Sequence, residues 1–295
     1  MFYFRTTFIK YILFFNCLLI IKFILPVQNP AFAEQMGGHF KSLQKRLIND
    51  GFDKTGIKEL YSPPQVFFDT SSVSLFFVHR EDKLNYNQFA TIESIKKARK
   101  YMQEHEVELA GAERKYGVDK EMITAIILVE TKLGTVLGKS STFNTLSTTA
   151  SLSEPFLRER VWEKIKSFGG LTKKDFEKKA IIKSEWAYRE LKAFIQYTTG
   201  EKINPVEVYG SYAGAMGIAQ FMPSNILLLA RDGNQDGRID LFNHADAIAS
   251  IANYLKHYGW HPGIDDKKAY NVLYHYNHSS YYVNTLLLIA ERLKG

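Results

Sequence analysis

A mainly α-helical fold, with a small β element and one long insertion between residues 150 and 205, is predicted by three features of the chain. Apolar residues recur at helical spacing in most segments, as in Phe40, Leu43, Leu47 and Ile48, or Ile123, Ile126 and Ile127. Glycine and proline punctuate those segments at Gly51, Pro63-Pro64, Gly117 and Gly134. One stretch, "VFFDTSSVSLFFV" (66–78), has the β-branched and aromatic content of a strand. At 295 residues, 45% apolar and 23% charged, the chain is globular and long enough for one large domain or two modest ones.

Arg5 and Lys10 flank the start of the apolar run "YILFFNCLLIIKFILPV", and Ala31-Phe32-Ala33 supplies a small-x-small site before Glu34. Together these predict a secretory signal peptide over residues 1–33 and a periplasmic location. The alternative is an uncleaved membrane anchor, interrupted by Lys22. The single cysteine, Cys17, falls in this segment, so the chain from Glu34 onward has no disulfide or thiol chemistry. That portion holds 35 Lys and Arg (38 less three) against 31 Asp and Glu, a net charge of +4. So mild an excess suits an anionic polymer and falls short of a nucleic-acid footprint.

Residues 34–104 form an N-terminal helical and extended region: two short helices around the Gly51 turn, a break at "SPPQ", then the extended 66–78 stretch. One long helix is expected from Ser94 to Tyr116, stopped by Gly117, with Asp119 capping a helix over 120–133. A polar loop, "GKSSTFNTLSTTAS", follows. Helices are expected over 155–168, 174–181 and 183–198. The glycine-rich "GEKINPVEVYGSYAGAMG" is irregular, and helices alternate with short loops to the end.

The helix 120–133 places an acid in an apolar stripe. At about 100° per residue, Glu130 shares a face with Ile123, Ile126, Ile127 and Leu133, while Glu121 and Lys132 lie opposite. Burial and the negative end of the helix both favour the protonated carboxyl, as a general acid requires. A buried Glu paired with a base fits the spacing equally well.

Three further segments carry candidate chemistry. In "SYAGAMGIAQFMPSN" (211–225), small residues admit a flat ligand close to the backbone, with Ser211 and Gln220 as hydrogen-bonding groups; a tight structural turn is the alternative. "DGNQDGRIDLFN" (232–243) has the pattern of an EF-hand loop: Asp232, Asn234 and Asp236 at positions 1, 3 and 5, the Arg238 carbonyl at 7, Asp240 at 9 and Asn243 at 12. With no Glu at position 12, weak structural Ca2+ binding is expected rather than sensing. Near the C-terminus, Tyr258, Trp260, Tyr274, Tyr276, Tyr281 and Tyr282 gather with His275 and His278. Tyr274, Tyr281 and Tyr282 are assigned to helix core, and the two histidines have no third ligand beside them.

"AIILVETKLG" (125–134), followed some 80 residues later by "GSYAGAMGIAQFMPS", resembles the lytic murein transglycosylase B family of the lysozyme-like superfamily. The resemblance continues through "DGNQDGRIDLFNHADAIASIANYLKHYGW" and "YHYNHSSYYVNTLLLIAERL". It implies a lysozyme-like α+β core over residues 105–295, with a helical N-terminal extension and a helical insertion. It also implies a monomeric enzyme acting on peptidoglycan glycan strands, which cuts the MurNAc-β-1,4-GlcNAc bond and leaves a 1,6-anhydro-MurNAc end. The catalytic acid would be Glu130, in "VET". Ser211, Gln220, Tyr254, Tyr276 and Asn277 would line the glycan cleft, and the 232–243 loop would hold one structural Ca2+. The family commonly has Arg-Trp-Gly after the Glu-Thr; here Lys132-Leu133-Gly134 stands instead.

Glycosidases usually need two carboxylates about 5 to 9 Å apart. Glu154, Glu159 and Glu207 sit in ordinary helix or loop contexts, so a one-acid reaction fits this chain better. A hydrolytic muramidase, an inactive peptidoglycan-binding protein and a calcium-responsive adaptor are the competing functions.

Overall fold

The computed structural model describes residues 38–79 and 84–295, so the expected signal peptide at 1–33 lies outside the described residues. Helices α1 (Lys41–Asn49) and α2 (Lys54–Leu60) turn at Gly51 as expected, and Asp53 caps α2 by accepting from the Gly56 N–H at 2.6 Å. Their apolar faces bury Phe40, Leu43, Leu47, Ile57 and Tyr61.

The stretch expected as a strand is instead helical: α3 spans Thr70–Val78. Asp69 accepts from the Ser72 N–H (3.0 Å) and hydroxyl (2.6 Å), so the local cap overrides the β-branched composition. The single helix expected over 94–116 is two, α4 (Ile92–Glu104) and α5 (Glu106–Tyr116). The break falls at His105, whose ring packs on Tyr101 (4.3 Å) and stacks on His244 (4.5 Å). Gly117, at φ 72°, ends α5. Asp119 stands at the N-cap of α6 (Lys120–Thr131) but makes no capping bond; Glu113 accepts the Lys120 N–H instead, at 3.2 Å.

The Ser/Thr-rich segment expected as a loop carries α7 (Thr142–Ala150), all nine residues of it buried. Thr149 donates to the Thr145 carbonyl and Ser151, just past the helix end, to that of Ser147, each at 2.8 Å, whereas the Thr142 and Thr145 hydroxyls are buried with no partner among the described residues. The strands β1 (Ser140–Ser141) and β2 (Tyr209–Gly210) pair antiparallel, and bridges Gly210–Met216 and Met216–Phe221 extend the ladder. Between them lie α8 (Pro155–Ile165) and α9 (Lys173–Gly200), a continuous 28-residue helix where two were expected. It buries a stripe from Phe176 to Thr198 against α7 and α10 (Pro223–Leu229). The chain closes with α11 (His244–His257), α12 (Asp266–Tyr276) and α13 (Ser280–Lys294).

Helix α6 is the centre of the fold: Met122 to Leu128 are all buried, and α13, α4, α5 and α11 pack around it. Among the described residues no helix is long and apolar enough to cross a membrane.

Candidate active site

Glu130 is the half-buried penultimate residue of α6. Thr131, fully buried, fastens the helix end: its hydroxyl donates to the Ile218 carbonyl (3.1 Å) and accepts the Gly134 N–H (3.0 Å). Lys132, Leu133 and Gly134 then take left-handed conformations in succession (φ 50°, 64° and 80°). Two non-glycine residues there cost about 1–2 kcal/mol each, so the turn after the acid is held by its surroundings. At Gly134 a side chain would be strained by the φ of 80°, and its Cβ would lie 2.8 Å from Cε1 of His244, so the imidazole would have to shift.

Two tyrosines complete the setting. Tyr282 Oη donates to Glu130 Oε1 at 2.6 Å, and Tyr276 Oη donates to the Ala219 carbonyl at 2.6 Å. The Tyr276 and Tyr282 rings are nearly parallel (14°) with centroids 6.4 Å apart. A closed circuit of contacts therefore runs from Glu130 through Tyr282 and Tyr276 to Ala219, then along Ile218 to Thr131 and back. Burial, and next the charge of Glu130, push both phenols well above their usual range, so they remain donors.

Of the expected cleft residues, Gln220 adjoins this circuit in a left-handed conformation (φ 49°). Its carboxamide donates to the carbonyls of Gly217 (2.9 Å) and Leu137 (3.3 Å), which leaves Oε1 as an acceptor. Asn277 follows Tyr276 at the end of α12, half-buried, its carboxamide without a partner among the described residues. Ser211 Oγ accepts the N–H groups of Ala215 (3.0 Å) and Ala213 (3.3 Å), so its hydroxyl proton is directed away from the turn. Tyr254 is 4% exposed; its hydroxyl donates to the His275 carbonyl (2.8 Å) and its ring packs edge-on to Tyr276 at 4.8 Å. It supports Tyr276 from behind.

Sequence reasoning missed Tyr282. It is buried as expected, but its hydroxyl meets the acid rather than the core. Tyr274 and Tyr281, assigned to the core with it, are 39% and 61% exposed. In the helix that starts at Ser280, consecutive side chains point about 100° apart, which is enough to bury Tyr282 and leave Tyr281 exposed. The other acids lie elsewhere: Glu159 pairs with Lys173 (2.6 Å), Glu154 precedes α8 and Glu207 ends a short turn. His275 stacks on Tyr258 at 4.5 Å, and His278 meets Tyr274 edge-on at 5.0 Å.

The 232–243 loop folds around its own carboxylates. Asp232 accepts the N–H groups of Gln235 (2.6 Å), Asp236 (3.2 Å) and Gly237 (2.8 Å); Asn234 Oδ1 also accepts from Asp236 (3.1 Å), and Asp236 Oδ1 accepts from Arg238 (2.9 Å). Asp240 Oδ1 accepts the Phe242 N–H at 2.9 Å. Asn243, expected to close the loop, instead caps α11 by accepting the Ala245 N–H at 2.8 Å. The closing carboxylate is Asp246, 1% exposed, which accepts from Gly233 (2.8 Å), Asn234 (3.4 Å) and Asp240 (2.7 Å). Burial raises its pKa, and the charge of Asp232 adds to the rise. A buried acid near a second acid, in a loop rich in oxygens, has the donor chemistry that suits a hard cation. The carboxylates rest on backbone N–H groups, and among the described residues no three acidic or imidazole side chains are drawn into metal-ligating geometry.

The family model for the transglycosylase SLT domain matches residues 36–267. The chain belongs to that family. A relative within reach of this transglycosylase-family chain is the membrane-bound lytic murein transglycosylase B of Escherichia coli strain K12. It is 30% identical over 247 residues, covering 78% of this chain and 61% of the relative; the chain thus spans about three fifths of that protein's length. Two solved structures share the fold. The E. coli lytic transglycosylase Slt35 in complex with calcium superposes with a TM-score of 0.67 at 23% identity, covering 87% of this chain and 92% of that one. SltB3 of Pseudomonas aeruginosa, in complex with NAG-anhNAM-pentapeptide, gives 0.68 at 19% identity, covering 88% and 80%. The fold is therefore the lysozyme-like one that the motifs implied.

Proposed function

We propose that this protein is an exported peptidoglycan lytic transglycosylase that cuts the MurNAc-β-1,4-GlcNAc bond and leaves a 1,6-anhydro-MurNAc end. The observation that carries the proposal is the closed contact circuit that sets the Glu130 carboxyl among Tyr276 and Tyr282, with Tyr282 Oη on Oε1. The anhydro-sugar complex of the SltB3 relative supports the product.

One acid suffices for the balance of atoms. Protonated Glu130 gives its proton to the glycosidic oxygen as the bond to C1 breaks, and positive charge spreads over C1 and the ring oxygen. The substrate's own N-acetyl carbonyl stabilises that charge, in place of a second carboxylate. The ionised Glu130 then takes the proton of the C6 hydroxyl as O6 bonds to C1, so the acid is regenerated and no water is consumed. An intramolecular nucleophile has a large effective concentration, which favours this closure over hydrolysis. Tyr282 holds Oε1 throughout and compensates the charge that appears there midway. Mass spectrometry of fragments released from purified sacculi tests the proposal: products lacking one water are expected. Products with ordinary reducing ends would make the protein a hydrolytic muramidase, and no release at all would leave a peptidoglycan-binding protein.

The 232–246 loop is proposed to hold a structural divalent cation, with Asp232, Asn234, Asp236, the Arg238 carbonyl and Asp246 as ligands. Slt35 with calcium supports it. The cation would relieve the repulsion between Asp232 and Asp246 and takes no part in bond cleavage.

A further inference from the structure

We propose that the groove between α12 and α13 is a second saccharide-binding surface, which holds a pyranose ring of the glycan strand outside the catalytic circuit. The groove, about 680 Å³, is lined by Tyr270, Asn271, Tyr274, His278, Ser280 and Tyr281, with Ser279 at its base. Tyr270 and Tyr274, one helical turn apart, set their rings at 14° to each other with centroids 6.2 Å apart, and His278 closes one end edge-on to Tyr274. Tyr281 is 61% exposed, and Tyr274, though packed against Tyr270 and His278, is still 39% exposed.

Three features select a sugar. Flat rings with polar edges suit a pyranose, whose C–H face stacks while its hydroxyls reach Asn271, His278 and Ser280. The lining holds no Asp, Glu, Lys or Arg, which suits an uncharged ligand and disfavours a nucleic acid or an anionic lipid surface. The groove is also a neighbour of the candidate active site in sequence, its lining residues flanking Tyr276, Asn277 and Tyr282. The turn Asn277–Ser279 separates them, with Tyr276 and Tyr282 facing Glu130 on one side and Tyr274, His278 and Tyr281 on the other. A strand threaded past Asn277 would run onto the tyrosine platform. This proposal rests on glycan being the substrate.

The test separates the groove from the reaction. Peptide-free glycan strands are sedimented with the full chain carrying Glu130→Gln, alone and with Tyr274→Ala and Tyr281→Ala added; the pelleted fraction should fall about fivefold. Tyr281→Phe, which keeps the ring, should retain binding, and thermal melts check that each variant is folded. In the active chain the two alanines should raise KM on long strands about fivefold, with kcat and turnover of a short tetrasaccharide unchanged. Undiminished sedimentation overturns the proposal, as does equal loss on the short substrate, which would place the effect in the catalytic circuit. If the parent chain cleaves neither substrate, the catalytic proposal for Glu130 fails separately, and sedimentation alone decides the groove.

Discussion

Tyr282 Oη lies 2.6 Å from Glu130 Oε1, across 152 residues of sequence. Tyr282→Phe removes that hydroxyl and keeps the ring that packs on Tyr276 and Tyr86. A hydrogen bond to a charged group contributes about 1.5–3 kcal/mol, so kcat on sacculi should fall roughly 10- to 100-fold with little change in KM. Unchanged kcat would reduce Tyr282 to a packing role.

Glu130→Gln keeps the shape of the side chain and removes its proton transfer. Activity on purified sacculi should fall at least about 10²-fold while binding to them persists. Digestion at the parent rate would remove Glu130 from the chemistry.

Thr131→Val should act on stability and activity together. It leaves the Ile218 carbonyl and the Gly134 N–H without the buried hydroxyl, each worth about 1–3 kcal/mol, and slackens the left-handed turn after Glu130. A denaturant melt reads the first effect and kcat the second. A variant as stable as the parent would show that the turn does not depend on this tie.

Calcium should raise the melting temperature. At tenfold above a millimolar Kd the gain is about 1.4 kcal/mol, or a few degrees for a chain of this size. Because burial raises the Asp246 pKa, that group favours the fold when protonated, and its contribution is lost as pH rises through the raised value. The calcium gain should therefore be full at neutral pH and shrink toward acid, where a proton competes for the same carboxylate. Asp246→Asn should abolish it. Equal melts in calcium and chelator would retire the site.

The helix that carries Glu130 was legible because its signals are local: the apolar period through Ile123, Ile126 and Ile127 and the Gly117 stop, although it ends at Thr131 rather than 133. The Gly51 turn and the two helices around it were legible for the same reason. Helices α3 and α7 were not, since Ser, Thr and β-branched residues are poor helix formers until buried hydroxyls find carbonyls one turn back and Asp69 supplies a cap. Asn243 and Asp246 show the same boundary. Spacing pointed to the residue at position 12, whereas the helix start at His244 claimed Asn243 as its cap and left Asp246 to close the loop.

By itself the sequence determined that the chain is mainly helical, that one acid lies in an apolar stripe ahead of a glycine, and that its motifs resemble one family of wall-cleaving enzymes. Only the tertiary structure decided what surrounds the acid: the Thr131 tie to Ile218, the Tyr282 hydroxyl on Oε1, and the turning of Tyr281 outward while its neighbour turns in. Periodicity reports which side of a helix is buried. Where a hydroxyl or carboxylate at the end of its side chain finds a partner depends on segments far away in sequence, and only their packing brings them within hydrogen-bonding distance.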